Sequence, residues 1–243
     1  MLFPSISLII PCYNEADRMD LMFDGIAAFV EQWQGDSEII LVDDGSKDGS
    51  DVLFRNHAIY QRLQKEHRIV LLQQKNTGKG GALKLGAANA TNDFILTLDA
   101  DMATSPVQLM QWLALKQTFR LDEVLIGSRE LTQSVIHEAL IRKWIGNLFN
   151  YLIRTAVDLP FRDTQCGFKL YPSFIAKDVF AQLNTLGWSH DVEILIRVRK
   201  LGYSVTEMPV HWTAVKGSKI KVLRDSWVMF WEVVKIRQLT QKK

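Results

Sequence analysis

Short runs of apolar residues alternate with segments of helical periodicity through the first half of the chain. The apolar runs predict strands at residues 6–10, 38–42, 68–72, 94–98 and 123–126. Between these runs, the spacing of apolar positions predicts helices at residues 14–34, 48–66, 80–90 and 106–116. Strands that alternate with helices in this way favour an α/β fold with a mostly parallel sheet.

The second half of the chain loses this regular alternation. It opens with a long apolar segment, residues 134–157, and ends with a predicted helix at 222–238 that carries Trp227, Phe230 and Trp231. Between them the pattern predicts strands at 167–171 and 204–212 and helices at 172–183 and 191–201. Because no linker rich in Pro, Gly or Ser divides the chain, we expect a single domain over residues 1–243.

Composition adds limits on the class of protein. The 243 residues are 47% hydrophobic and 23% charged, as in ordinary globular domains. Two cysteines exclude a disulfide scaffold and favour a reducing compartment. The net charge of +2 is too small to indicate nucleic acid, but residues 216–243 alone carry +6. This basic end suggests an anionic partner, such as a phosphate group or a membrane surface.

The sequence predicts no signal peptide, since residues 1–11 lack a basic region and Pro4 and Pro11 bracket their short apolar run. It also predicts no transmembrane helix, since it lacks an uncharged apolar run of about 18 residues. Residues 134–157 and 222–238 nevertheless combine apolar, aromatic and basic side chains. That make-up is typical of helices that lie on a membrane surface. Burial in the core or in a dimer contact would explain the same pattern.

Polar or glycine-rich loops follow all five predicted strands of the first half. They are residues 11–15, 43–46, 76–81, 99–101 and 127–129. Parallel α/β sheets bind ligands beyond the carboxyl ends of their strands, so these loops together predict one binding site.

Asp99 and Asp101 follow the fourth predicted strand. Two carboxylates separated by one residue can approach one hard cation, and Mg²⁺ prefers one or two carboxylates together with substrate phosphate oxygens. A turn whose aspartates cap the helix near Pro106 would explain the same residues. Both interpretations stay open from the residues alone.

Three other loops carry similar alternatives. Residues 76–81 run into a helix, so their amides could face an anion, although the segment is not a Walker A motif and could be a simple glycine-rich turn. Asp43 and Asp44 could bind a ribose or a base, or cap the next helix. Arg129 suits a diphosphate, or an ion pair with Glu130 or another neighbour.

Together these segments resemble the motifs of family 2 glycosyltransferases, which have the GT-A fold. The matching segments are Pro11-Cys-Tyr-Asn-Glu15, Val42-Asp-Asp-Gly-Ser46, Asn76-Thr-Gly-Lys-Gly80, Asp99-Ala-Asp101 and Gly127-Ser-Arg129. Within the family, the chain is most similar to polyprenyl-phosphate sugar transferases. Residues 162–169, 191–193 and 217–219 resemble the dolichyl-phosphate β-glucosyltransferase branch. The resemblance extends over roughly residues 5–225.

The resemblance implies roles for the matched positions. Pro11, Tyr13, Glu15 and Asp44 would hold the nucleoside of a sugar nucleotide. Further substrate contacts are implied at Val42, Lys79, Asp99, Ala100, Gln165 and Ser218. It also implies a nucleotide-binding half at about residues 1–130, an acceptor half at about 131–221 and an amphipathic C-terminal helix at 222–239.

The implied catalytic residues are Asp101, Asp191, Arg129 and Lys219. Asp99 and Asp101 would hold Mg²⁺ or Mn²⁺, with Asp101 as the direct ligand, while Arg129 and Lys219 would neutralise phosphate. Asp191 or Glu193 would orient the sugar or the acceptor, unless both only belong to a capped helix start. The mannosyl-phosphate branch often has a glutamine at the position of Ala103, so the chain is more similar to the glucosyl branch there.

The resemblance implies an inverting transferase that moves a hexose, glucose from UDP-glucose, to a polyprenyl or dolichyl phosphate. We expect it on the cytoplasmic side, attached peripherally to the membrane surface. A membrane-protein partner or a homo-oligomer is a further expectation, and no nucleic-acid partner is expected. The alternatives are a GDP-mannose donor, a non-lipid acceptor or a sugar nucleotidyltransferase. A sugar nucleotidyltransferase usually has a Gly-rich stretch with Arg and Lys after the first strand. This chain has residues 11–15 there, Pro-Cys-Tyr-Asn-Glu, which disfavours that alternative. A catalytically silent nucleotide-binding module is disfavoured because Asp99, Asp101 and Arg129 are intact.

Overall fold

The computed structural model describes residues 3–137, 159–187 and 189–215, together with Glu232 and Ile236. Its strands are β1 Ile6–Cys12, β2 Ser37–Asp43, β3 Ile69–Gln73, β4 Phe94–Thr97, β5 Glu123–Ser128, β6 Val135–His137, β7 Lys169–Pro172, β8 Ser204–Pro209 and β9 His211–Thr213. Its helices are α1 Met19–Gln32, α2 Ser50–Asn56, α3 Ala58–Lys65, α4 Lys79–Asn89, α5 Gln108–Lys116, α6 Ser173–Ala181 and α7 His190–Lys200, with a 3₁₀ turn at Ala16–Arg18.

The main sheet contains seven strands in the order β3-β2-β1-β4-β7-β5-β8. Within the described residues β7 alone runs antiparallel, between β4 and β5, and the other strands of this sheet are parallel. The mostly parallel sheet predicted from the sequence is therefore confirmed. β6 and β9 pair in parallel as a separate two-stranded sheet.

Helices cover both faces of the sheet, because alternate residues of each strand point to opposite sides. In β1, Ile6, Leu8 and Ile10 pack into one core cluster with α1 and α5, whereas Ile9 packs into a second cluster with α4, α6 and α7. Strands buried on both faces explain the nearly continuous apolar runs in the sequence.

Two predicted elements are divided in the structure. The helix expected at residues 48–66 is interrupted at His57, whose extended backbone (φ −70°, ψ 135°) separates α2 from α3. The strand expected at 204–212 is divided into β8 and β9, which belong to different sheets. Apolar periodicity continues across both breaks, so the pattern alone did not reveal them.

The long apolar segment predicted at 134–157 begins differently from the expected helix. Val135–His137 forms strand β6, and residues 138–158 lie outside the described part of the chain. Most of the predicted last helix is also outside it, but Glu232 and Ile236 are helical and Ile236 is buried in the second core cluster. No described helix is long and apolar enough to cross a membrane.

Candidate active site

The loops after β1 and β2 are joined to each other at the carboxyl ends of these neighbouring strands. Asn14, in the left-handed region with φ 53°, donates its N–H to Ser46 Oγ at 2.8 Å and accepts the Lys47 N–H at 2.8 Å. The Glu15 N–H donates to Ser50 Oγ at 2.8 Å. This network holds Glu15 at the edge of the sheet.

Asp44 fixes the loop that follows β3. Its Oδ1 accepts the Thr77 N–H at 2.9 Å and the Gln74 side-chain amide at 2.7 Å, and its Oδ2 accepts the Gly78 N–H at 2.8 Å. The side chain is buried. Its contacts therefore shape the loop, and the predicted contact between Asp44 and the nucleoside stays a prediction.

The start of α4 is held against residue 186. The N–H groups of Gly80 and Gly81 point to the Leu186 carbonyl, at 2.8 and 3.4 Å. Gly78 has φ +97°, and a Cβ there would lie 2.6 Å from the same carbonyl oxygen, so only glycine fits. The amides of residues 77, 78, 80 and 81 thus bond within the protein, which corrects the expectation that this loop faces an anion and favours the glycine-rich turn.

Lys79, the first residue of α4, brings its ammonium to the carboxylate that follows β4. Its Nζ lies 2.5 Å from Asp99 Oδ1. Burial opposes the positive charge, but the charges of Asp99, Asp191 and Asp101 outweigh it and raise the pKa of Lys79. Asp99 is also approached by Gly167, where a Cβ would lie 2.5 Å from Oδ2.

Asp101 stands beside Asp99 in a turn. Its Oδ1 accepts the Ala103 N–H at 3.0 Å. Burial and the nearby negative charge of Asp99 raise the pKa of Asp101. Helix α5 begins without a capping side chain, so the alternative in which these aspartates cap a helix near Pro106 is wrong. The pair instead concentrates negative charge at the end of β4.

Arg18 connects Asp101 with the loop after β1. Its Nη2 lies 2.6 Å from Glu15 Oε2, and its Nη1 lies 3.9 Å from Asp101 Oδ2. The guanidinium is largely buried, with 15% of the side chain exposed. Among the described residues, Lys79 thus forms an ion pair with Asp99, and Arg18 approaches Asp101.

Arg129 makes a buried ion pair at the end of β5. Its Nε and Nη2 donate to the two oxygens of Asp163 at 2.7 and 3.1 Å, and its backbone N–H donates at 3.0 Å. Burial alone would raise the pKa of Asp163, but Arg129 outweighs this and lowers it. The guanidinium also lies 5.5 Å from the ring centroid of Trp212. The ion-pair interpretation is thus correct, and binding of phosphate by Arg129 stays a prediction.

Asp191 is paired with a lysine in the protein interior. Lys169, on β7, is fully buried, and its Nζ lies 2.5 Å from both Asp191 Oδ1 and the Cys166 carbonyl oxygen. Burial opposes ionisation, but His190, Lys169 and Lys79 outweigh it and lower the pKa of Asp191 to about 2. Asp191 is therefore held as an anion.

The neighbours of Asp191 on α7 have structural contacts. His190 Nδ1 lies 2.8 Å from the Gly187 carbonyl oxygen, and burial lowers the pKa of its ring. Glu193 accepts the Thr185 N–H at 2.7 Å and pairs with Arg197 at 2.6 Å. Glu193 thus anchors the segment before α7. The role of Asp191 or Glu193 in orienting the sugar or the acceptor stays a prediction.

Two carboxylates are the donor set that the structure offers to a divalent cation. Asp99 and Asp101 come from one turn, and the charge of Asp99 disfavours ionisation of Asp101, which a bound cation would relieve. Among the described residues, no group of three or more His, Cys, Asp or Glu side chains is arranged to hold a metal. The pair fits a Mg²⁺ or Mn²⁺ ion that completes its coordination with substrate oxygens.

Comparison with known proteins shows the family of the chain. The model of the family described as "Glycosyl transferase family 2" matches residues 7–180. The chain belongs to glycosyl transferase family 2. Among curated relatives of this glycosyltransferase, dolichyl-phosphate beta-glucosyltransferase of Saccharomyces cerevisiae is 34% identical, over 96% of this chain and 74% of the relative. The human protein of the same name is 32% identical, over 97% and 76%.

Solved structures show the same fold at low sequence identity. Glucosyl-3-phosphoglycerate synthase from Mycobacterium tuberculosis, crystallised with Mn²⁺, UDP and glucosyl-3-phosphoglycerate, has a TM-score of 0.67 at 15% identity, over 98% of this chain and 80% of that chain. Mannosyl-3-phosphoglycerate synthase from Rubrobacter xylanophilus has a TM-score of 0.65 at 18% identity, over 98% and 75%. These matches confirm the predicted GT-A fold.

Most residues predicted from the sequence of this family 2 glycosyltransferase lie along the strand ends. Pro11 pairs with Val42 across β1 and β2, and the Val42 side chain is buried in the second core cluster. Tyr13 is 37% exposed. Ala100 is buried, and Gln165 is half-buried and donates its N–H to Asp163 Oδ1 at 3.1 Å.

The sequence interpretation did not identify every residue of the candidate site, and two of the residues that it predicted cannot be compared with the structure. It did not single out Arg18, Asp163 or Lys169, although a lysine within the apolar run 167–171 was an available signal. Ser218 and Lys219 lie outside the described residues. Their predicted roles stay predictions.

Proposed function

We propose that the chain is an inverting glucosyltransferase that moves glucose from UDP-glucose to dolichyl phosphate or another polyprenyl phosphate. One observation carries this proposal: the carboxylate pair Asp99 and Asp101 at the end of β4, paired with Lys79 and Arg18. The names of relatives that match nearly the whole chain at 32–34% identity support the glucosyl donor and the lipid-phosphate acceptor.

Asp99 and Asp101 would hold the divalent cation, Mg²⁺ or Mn²⁺, with Asp101 as the direct ligand. The Mn²⁺ and UDP bound in a structural neighbour of the same fold support this assignment. When bound, such a cation stabilises the negative charge that develops on a leaving diphosphate. The chain itself contributes the two carboxylates and the basic side chains that surround them.

The nucleoside would lie against the loops after β1 and β2. Pro11, Tyr13, Glu15 and Asp44 are the residues that we assign to it, with further contacts from Val42, Ala100 and Gln165. The network that joins Asn14 to Ser46 supports the assignment, because it holds these two loops in one fixed arrangement. A loop that is fixed before binding loses little conformational freedom when the ligand arrives.

The acceptor chemistry suits a site without a proton acceptor. A lipid phosphate is ionised at neutral pH, so its oxygen can attack the anomeric carbon without a general base. The bond between that carbon and the diphosphate oxygen breaks, and its electron pair leaves with UDP. Attack opposite the leaving group converts an α-linked donor to a β-linked product. Asp191, held as an anion by Lys169, would orient the sugar or the acceptor.

Peripheral attachment to the cytoplasmic face of a membrane would bring the enzyme to its acceptor. The charge of +6 carried by residues 216–243 supports attachment to an anionic surface. Arg129 and Lys219 are the further residues that we assign to phosphate groups, and Ser218 to the substrate.

A transfer assay with labelled donors tests the proposal. The protein is incubated with radiolabelled UDP-glucose or GDP-mannose, with dolichyl phosphate or a water-soluble acceptor, and the butanol-extractable label is counted. We expect label in the lipid fraction with UDP-glucose and dolichyl phosphate, and its loss on addition of EDTA. Lipid labelling with GDP-mannose alone would assign the mannosyl alternative, and labelling of the soluble acceptor alone would contradict a lipid acceptor.

A further inference from the structure

Both carboxylates proposed to bind the cation contact a basic side chain of the protein itself. Lys79 Nζ lies 2.5 Å from Asp99 Oδ1, and Arg18 Nη1 lies 3.9 Å from Asp101 Oδ2. The side chains of Lys79 and Arg18 are 16% and 15% exposed and those of Asp99 and Asp101 are 40% and 29% exposed, so water screens the contacts only in part. A cation that binds Asp99 and Asp101 must therefore displace the basic side chains that these carboxylates already contact.

The backbone of Lys79 is fixed, whereas its ammonium lies at the end of a flexible four-carbon side chain. Gly78 and Gly80, on either side, are held against the Leu186 carbonyl. The four-carbon side chain then extends from a rigid point, and rotation about its bonds moves the charge away from Asp99 without moving the helix.

Arg18 can lose its contact with Asp101 and keep its contact with Glu15. Its Nη2 contact with Glu15, at 2.6 Å, is much shorter than its 3.9 Å approach to Asp101. Loss of the longer contact leaves the guanidinium anchored on Glu15. Its remaining N–H donors then face the position beside Asp101, and guanidinium donors match phosphate oxygens in geometry.

We propose that Lys79 and Arg18 compete with the divalent cation for Asp99 and Asp101, and that the donor diphosphate then receives the displaced side chains. This inference rests on the proposed function, since it takes the cation and the nucleotide sugar from there. It assigns a binding role to Arg18, which no motif indicated. The cation displaces Lys79 and Arg18 from the two carboxylates, and the diphosphate accepts these basic side chains. Binding of either ligand therefore favours binding of the other.

The affinity for Mn²⁺, measured by isothermal titration calorimetry with and without UDP, tests the competition. We expect Lys79→Met to bind Mn²⁺ about fivefold more tightly than the wild type in the absence of UDP, because a competing charge is gone. The increase in Mn²⁺ affinity caused by UDP should shrink in the same variant. Lys75→Met is the matched control: it removes an equal charge from an exposed position four residues away and should behave as the wild type.

Arg18→Met provides an independent test, in which its Mn²⁺ affinity is measured with and without UDP. A thermal melt shows that each variant is folded. If Lys79→Met and Arg18→Met bind Mn²⁺ no more tightly than the wild type does, the competition is wrong, while UDP-dependent Mn²⁺ binding by the wild type would still support the proposed function. If the wild type binds no Mn²⁺ with or without UDP, both proposals are contradicted.

Discussion

At the scale of single residues, the two aspartates after β4 are not equivalent. Asp99 has a direct ammonium partner in Lys79, whereas the Arg18 guanidinium lies 3.9 Å from Asp101. Burial and the charge of Asp99 accordingly raise the pKa of Asp101. A bound cation would relieve this repulsion at Asp101, the residue that we propose as the direct ligand.

Asp101→Asn should lower turnover about a hundredfold or more, because the leaving diphosphate would lose its counter-charge. Its melting temperature should stay equal to that of the wild type or rise slightly, since repulsion from Asp99 is removed. Initial rates and thermal melts of this variant check the prediction, with the exposed Asp24→Asn as control. If Asp101→Asn turns over at the wild-type rate, the assignment of Asp101 to the site is wrong.

The buried pair of Lys169 and Asp191 gives a stability prediction. Lys169→Met should lower the free energy of unfolding by about 3–5 kcal/mol, because it leaves an unpaired charge in the interior. In the double variant Lys169→Met/Asp191→Leu the loss should largely disappear, since both charges are gone. Urea unfolding at neutral pH measures each value. A double variant as unstable as the single one would show that the charge of Asp191 is not the cause.

The same pair should respond to acid in a defined direction. The pKa of Asp191 is lowered from 3.8 to about 2 in the folded protein, so its ionised form favours folding. This contribution is complete above pH 3.8 and is lost as the pH falls through about 2. The difference in unfolding free energy between the wild type and Lys169→Met should therefore shrink over this acidic range. A constant difference would contradict the pairing.

At the scale of elements, β7 positions the site. It enters the parallel sheet between β4 and β5 and runs antiparallel to both. This insertion places Lys169 beneath Asp191 and brings Gly167 against Asp99. An apolar run predicts a strand but not its direction or its neighbours, so the sequence could not reveal why Lys169 is buried.

The parallel core of the fold was predictable because each strand is an apolar run followed by a polar loop. The strand ends then indicated the site, including Asp99, Asp101 and Arg129. The contacts of these residues were not predictable, since Lys79 and Arg18 are close to the aspartates in space but not in sequence. Breaks such as the one at His57 depend on local backbone geometry that apolar periodicity does not report.

The close contact at the start of α4 allows a matched pair of glycine substitutions. Gly78 and Gly202 both have positive φ, at +97° and +81°, but only the Cβ of an alanine at 78 would meet an atom within 4 Å, the Leu186 carbonyl. Gly202→Ala should lower the free energy of unfolding by about 1 kcal/mol. Gly78→Ala should add about 1–3 kcal/mol to that loss through overpacking. Urea unfolding measures both values, and equal losses would contradict the contact.

At the scale of the whole molecule, the fold gathers charged loops at the carboxyl ends of strands that consist mostly of apolar residues. The loops after β1, β2, β4 and β5 and the start of α7 contribute to this edge. A donor bound there would be surrounded by basic side chains, and an ionised acceptor would need no proton acceptor. Glucose transfer to a lipid phosphate with inversion is the reaction that these features support together.

The stereochemistry of the product tests this reaction most directly. The protein is incubated with UDP-α-glucose, dolichyl phosphate and Mg²⁺, and the butanol-extracted product is analysed by ¹H and ³¹P NMR spectroscopy. We predict a phosphodiester resonance and the large axial–axial H1–H2 coupling of a β-linked glucose. A glucosyl lipid with the small coupling of an α-linkage, or UDP release without any lipid-linked glucose, would contradict direct attack by the acceptor phosphate.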